Sequence, residues 1–134
     1  IAGRACTIYA AGTSDSEFAD RKATLEARGA TVVHLPGAHG KVDLPAMLRD
    51  LAARGVNELH VEAGHRLNGA LVRERLVDEL LLYLAPKLLG PGRGMAEMGP
   101  LDTLAQGLAL DFHSVERIGP DLRVLARVQG RDQF

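Results

Sequence analysis

Between Glu79 and Ala85 the chain reads ELLLYLA, and after the glutamate nothing charged breaks the run. A strand made this way has two apolar faces, and both are covered only near the middle of a sheet that carries helices on either side. The neighbouring segments point to the same architecture. CTIYAA, starting at Cys6, has strand-forming residues and stops at the turn cluster Gly12-Thr13-Ser14-Asp15. From about Asp20 to Arg28 the residues favour helix, with Ala23 and Ala27 four apart and Gly29 in the place of a C-terminal glycine. TVVHLP, Thr31 to Pro36, is the next strand. Leu44, Met47, Leu48, Leu51 and Ala52 then share one helical face, with Asp43 as N-cap and Gly55 as stop. Glu58 to Glu62 is expected as strand and Leu67 to Arg75 as helix, with Leu67 and Leu71 on one face. Gly90 to Pro100 is a loop by composition. Leu110 to Ile118 and Leu122 to Val128, joined through Gly119-Pro120-Asp121, form a hairpin in which Leu122, Val124, Ala126 and Val128 alternate.

Strands alternating with helices predict an α/β fold with a mostly parallel sheet flanked by helices, and the C-terminal hairpin makes that sheet mixed by pairing antiparallel. A length of 134 residues suits a single domain spanning 1–134. Ile1 in place of methionine is expected of part of a longer chain. Sixteen basic and seventeen acidic side chains leave a net charge of -1, without the basic excess of a nucleic-acid or anionic-membrane binder. The longest apolar run, Leu80 to Pro86, is far short of the roughly 20 residues of a membrane-spanning helix. Cys6 is the lone cysteine, which fits a reducing cytoplasm.

The stretch VEAGHRLNGALV, Val61 to Val72, carries the chemistry. A glycine where strand gives way to helix lets the backbone turn sharply, and the free N–H groups of the first helical turn suit an anion. Gly64 and Gly69 fit that reading and fit equally a tight turn with close helix packing. A P-loop is excluded by Ala70 and Leu71, which stand where it needs lysine and a hydroxyl residue, and the dinucleotide fingerprint G-x-G-x-x-G is absent. His60-Val61-Glu62 matches the H-x-E of zinc deaminases, but no P-C-x-x-C completes a metal shell, so no metal is expected. Glu62, two residues before the turn, is placed to accept hydrogens from a polar substrate, or to pair with Arg66 or Lys87. The serines lack a histidine and acid at interpretable spacing, so no hydrolase triad is supported.

VEAGHRLNGALVRERLVDELLLYLAPKLLG, Val61 to Gly90, resembles the reductase domain of the bifunctional riboflavin-biosynthesis deaminase/reductase. The shared elements are V-E-x-G, an L-x-G helix start, L-V-D-E, an apolar strand and A-P-K-L-L-G, and weaker similarity reaches the strand near Cys6 and the IGPDLRV turn. The resemblance implies a dihydrofolate-reductase-like fold, with helices on both faces of a mixed sheet. It implies NADPH-dependent reduction of 5-amino-6-(5-phosphoribosylamino)uracil to the ribitylamino product. Apolar sheet edges and the loop from Gly90 to Pro100 are expected to support a homodimer. Carried over by position, Glu62 matches the substrate-contacting glutamate. Gly64, His65, Arg66, Leu67, Asn68, Gly69 and Ala70 match the stretch against the NADPH pyrophosphate. By comparison with dihydrofolate reductase, Gly12-Thr13-Ser14 is a candidate for the adenosine 2′-phosphate. Family members often have proline or glycine and then threonine where this chain has His65 and Arg66, a guanidinium that can pair with phosphate in place of a hydroxyl. The family's domain begins with a strand and helix bearing substrate-phosphate and nicotinamide contacts, so this chain is expected to be the C-terminal part of such a domain. Two other readings stay open: a reductase of another small heterocycle, and a nucleotide-binding or dimer-forming fragment without turnover.

Overall fold

The computed structural model describes residues 5–131. The chain divides into two compact units, residues 1–59 and 60–134.

In the first unit, β1 (Cys6–Ala10) leads through α1 (Ser16–Glu26) to β2 (Ala30–His34). The strands pair in parallel, from Cys6 opposite Ala30 to Ala10 opposite His34, as the strand–helix–strand order predicts. The first helix begins four residues before the expected Asp20. Asp15, which composition assigns to a turn, is its N-cap and accepts the Phe18 N–H at 2.8 Å. Turn formers and N-caps are the same residue types, so composition does not separate them. Gly29, at φ +87, is in the left-handed conformation that ends a helix without side-chain strain. Next comes α2 (Leu44–Ala53), where Asp43 accepts the Ala46 N–H at 2.8 Å and Leu44 is buried, as the sequence predicts. Asp43→Ala is expected to cost about 1 kcal/mol, with most of it restored in Asp43→Asn, read as a shift in the denaturant midpoint.

Tyr9 on β1 donates its hydroxyl to Asp50 Oδ2 at 2.6 Å, and Arg54 Nε donates to the same oxygen at 2.6 Å. The Arg54 guanidinium, and then the Tyr9 hydroxyl, hold the Asp50 carboxyl below its ordinary value. Thr13, and then the Phe18 N–H, do the same to Asp15. A depressed folded-state pKa contributes stability that is present above the unfolded value and is lost as pH falls through the folded one. The melting temperature is therefore expected to fall on acidification below about pH 4, where unfolded aspartates take up protons. Asp50→Asn should flatten that fall, and an unchanged acid limb in thermal melts would count against the assignment.

The second unit holds α3 (His65–Arg73), β3 (Glu79–Leu84), β4 (Leu110–Ile118) and β5 (Asp121–Val128). Its strands run antiparallel in the order β3-β5-β4. The hairpin forms as expected, and Val124, Ala126 and Val128 are buried on one face, with Ala126 at 0% exposure. The alternation stops at Leu122, which is exposed. A bulge between Phe112 and Ser114 shifts the β4 register. Phe112 is 75% exposed.

Two expectations need correction. The apolar run is an edge strand and not a central one: β3 pairs only with β5 among the described strands, and Tyr83 remains 60% exposed. Leu80 and Leu82 lie beside Ala126 and Val124, whereas Glu79, Leu81 and Tyr83 lie beside Arg127, Leu125 and Arg123. Glu79 pairs with Arg127 at 3.0 Å on that second face. The neighbour, and not the run, decides which face is charged. Glu58 to Glu62 is also no strand. Residues 56–64 have no regular secondary structure, and Leu59 and Val61 are exposed. Alternation makes an extended backbone favourable, but a strand needs a ladder partner, and none pairs with this segment among the described residues. The mixed pairing is thus a parallel pair in one unit and an antiparallel trio in the other. No described helix is long and apolar enough to cross a membrane.

Candidate functional site

The third helix, α3, starts at His65, two residues before the expected Leu67, with Gly64 as N-cap. Glycine brings no side chain to the cap, and no side-chain bond satisfies the first turn. The N–H groups of His65, Arg66 and Leu67 find no acceptor among the described residues; the Asn68 N–H is the first to be used, bonding Gly64 O at 3.1 Å. These three amides carry the partial positive charge of a helix N-terminus. The space beside Gly64 is open, since a Cβ there would meet nothing within 4 Å.

The loop after β3 closes onto the other side of the same helical turns. Glu97 N–H donates to His65 O at 2.8 Å, and Asn68 Nδ2 donates to Ala63 O at 3.2 Å and Met95 O at 3.0 Å. Arg73 donates to the Glu97 carbonyl. Gly69 lies buried under this loop: a Cβ on it would stand 2.1 Å from Glu97 O and 2.6 Å from Glu97 N. Gly69 therefore serves close packing, one of the two roles open from sequence, and does not face a ligand. Asn68 likewise holds the loop in place. Ala70 is half-buried, and Leu71 and Val72, the next residues, are buried. Leu67 shares the Leu71 face, four residues before it on the same helix, but lies in the first turn and is exposed.

Charged side chains ring the junction. Arg66, with its side chain 85% exposed, approaches Glu97 Oε2 at 3.9 Å, and His65 Nε2 approaches the same oxygen at 4.0 Å. Glu62 pairs with neither Arg66 nor Lys87. Its side chain is 87% exposed and stands 3.5 Å from His60 Nε2. Glu97 was not legible as part of this cluster, because the loop from Gly90 to Pro100 has no periodicity to aim it. The available signal was Gly69, since a glycine inside a helix costs about 1 kcal/mol against alanine and often marks a backbone packed close by.

In the first unit, Thr13 donates its hydroxyl to Asp15, whose carboxyl is held below its ordinary value. An ionised carboxylate on that hydroxyl disfavours a phosphate at Gly12-Thr13-Ser14.

The fold is of the dihydrofolate-reductase-like α/β class. The solved structure of Acinetobacter baumannii RibD superposes with a TM-score of 0.69 over 92% of this chain and 31% of its own, at 24% identity. The chain belongs to the RibD C-terminal domain family, whose profile matches residues 5–124. Riboflavin biosynthesis protein RibD of Escherichia coli (strain K12) is 39% identical over 89 residues, covering 66% of this chain and 24% of that protein. The 5-amino-6-(5-phosphoribosylamino)uracil reductase of Buchnera aphidicola subsp. Acyrthosiphon pisum is 31% identical over 86 residues, covering 63% of this chain and 42% of the relative. The chain thus spans about a quarter of the E. coli protein and under half of the Buchnera one.

Proposed function

We propose that this chain is part of an NADPH-dependent reductase that converts 5-amino-6-(5-phosphoribosylamino)uracil to its ribitylamino product in riboflavin biosynthesis. The observation that carries the reading is the uncapped start of α3, where three amides without acceptors border open space. Similarity to a named reductase supports reading the anion they await as the diphosphate bridge of a dinucleotide. The residues fit it. His65, Arg66 and Leu67 supply backbone donors, Gly64 lets the phosphate oxygens approach, and the loosely held Arg66 guanidinium adds a bidentate cation. Asn68 and Gly69 act behind them, fastening the 95–97 loop that steadies the helix. Bound NADPH supplies the hydride. The work left to the protein is to orient the sugar carbon against the nicotinamide and to keep water out. Glu62, an accessible carboxylate two residues before the cap, accepts hydroxyl or amino hydrogens of the substrate and so positions it. The two units function as one domain within a longer reductase. We assign the protein to the cytoplasm as a homodimer, a state favoured by the exposed Tyr83, Leu84, Phe112 and Ile118 of the three-stranded sheet.

Titration with NADPH, followed through its nicotinamide fluorescence, is expected to saturate at one site and to give tighter binding than NADH. A folded chain that binds neither dinucleotide overturns the reading. Glu62→Gln should leave NADPH affinity unchanged while raising the substrate KM by on the order of 10-fold, the loss of a hydrogen bond to a charged group. An equal loss for cofactor and substrate would remove Glu62 from the substrate's side.

A further inference from the structure

At the far end of α3 from the proposed phosphate site, about 13 Å away for a nine-residue helix, lies a cavity of about 500 Å³. It sits wholly within the second unit, between the end of α3, the loop around 98–109 and the end of β5. Val72, Val77, Met98, Leu108 and Val128 give it an apolar floor. Arg73, Arg75 and Arg131 also line it, and neither aspartate nor glutamate is among its lining residues.

The three guanidinium groups are held differently. Arg131 donates to Asp78 Oδ1 at 2.7 Å and also to the Arg75 carbonyl. Arg73 donates to the Glu97 carbonyl, a neutral acceptor. The Arg75 side chain is exposed and finds no acceptor among the described residues. One carboxylate therefore answers three cations. The backbone at Arg75 is left-handed, at φ 57, a conformation that is unfavourable for a residue with a Cβ and natural to glycine. Arginine stands there despite that cost. A cation can serve the negative end of a helix, but Arg73 in the last turn already does so, and Arg75 lies two residues beyond the helix.

We propose that this cavity binds a small amphiphilic anion, a ring system bearing one carboxylate, sulfonate or phosphate, with the ring on the valine and leucine floor and the anion on Arg75. The volume is that of an ordinary small-molecule site, and an apolar lining with a few convergent polar groups is how such sites gain both affinity and orientation. Arg75 is the specificity residue, because its fork is the one free to close on an incoming anion. The proposal is independent of the dinucleotide reading, since it uses the opposite end of the helix.

The test uses 8-anilinonaphthalene-1-sulfonate as the anionic probe and N-phenyl-1-naphthylamine as its neutral counterpart. Saturable one-to-one fluorescence enhancement by the sulfonate is expected, with affinity lowered about 10-fold or more in Arg75→Glu and less in Arg75→Gln. Binding of the neutral probe should be the same in all three proteins, and circular dichroism should confirm that the exposed substitution leaves the fold intact. NADPH should not displace the sulfonate. Failure of the wild-type chain to bind the sulfonate overturns the proposal. So does unaltered sulfonate affinity in Arg75→Glu, which would mean that the probe responds only to exposed apolar surface. Displacement by NADPH would assign the cavity to the dinucleotide and overturn it as well.

Discussion

Gly64→Asp should lose NADPH binding by about 100-fold while the protein becomes no less stable. The two effects come from one carboxylate. Gly64 has φ -75 and ψ 162, which any residue adopts, and its Cβ would meet nothing within 4 Å, so the aspartate enters without strain. As an N-cap it accepts an N–H of the first helical turn and adds a few tenths of a kcal/mol over glycine, helped by the helix dipole. The same bond takes a donor from the cofactor and sets a negative charge beside its diphosphate. Two unit charges about 4 Å apart near a protein surface repel by about 4 kcal/mol, ample for a 100-fold loss after screening. Calorimetric titration with NADPH and a thermal melt of the same sample read the two halves. Gly64→Ser, a neutral cap, should be intermediate in affinity. An aspartate variant that binds NADPH like wild type would place the cofactor away from α3.

Gly69→Ala should destabilise the second unit by about 3–5 kcal/mol, although alanine is the better helix former by about 1 kcal/mol. The added methyl would stand 2.1 Å from Glu97 O, 2.5 Å from its carbonyl carbon and 2.6 Å from its nitrogen. All three are backbone atoms, and no rotamer change moves them aside. Either the helix shifts or the loop leaves, and leaving breaks the bonds from Glu97 N–H to His65 O, from Asn68 to Met95 O and from Arg73 to Glu97 O. Each contributes about 1 kcal/mol, and the overpacking adds to their loss. Urea denaturation is the measurement, and an alanine variant as stable as wild type would mean that the loop does not rest on this glycine. A charge introduced at Gly69 would report packing rather than cofactor repulsion, so Gly64 is the position at which to test the phosphate.

Local signals in the sequence were legible where the physics is local. Asp43 and Gly55 bound a helix because a cap bonds atoms three residues away and a left-handed glycine needs only its own backbone. The burial of Val124, Ala126 and Val128 follows from a period of two and one covered face. At the junction, sequence placed the turn at Gly64 and the helix start at Leu67, two residues late, since glycine after an extended segment and before a helical run has few other uses. It left Gly69 between two roles because its partner, the Glu97 backbone, is nearly thirty residues away in a loop without pattern.

What the sequence determined by itself, then, is which segments favour helix, which favour an extended backbone, where α2 is capped, and which stretch offers spare amides. The tertiary structure alone decided that ELLLYL lies at an edge, that Glu58 to Glu62 goes unpaired, and that Arg73, Arg75 and Arg131 meet at one cavity. The reason is one of range. Caps, turns and hydrophobic period act over a few residues, whereas sheet order and cavity walls depend on which distant segment arrives alongside, and that is set by the packing of the whole unit.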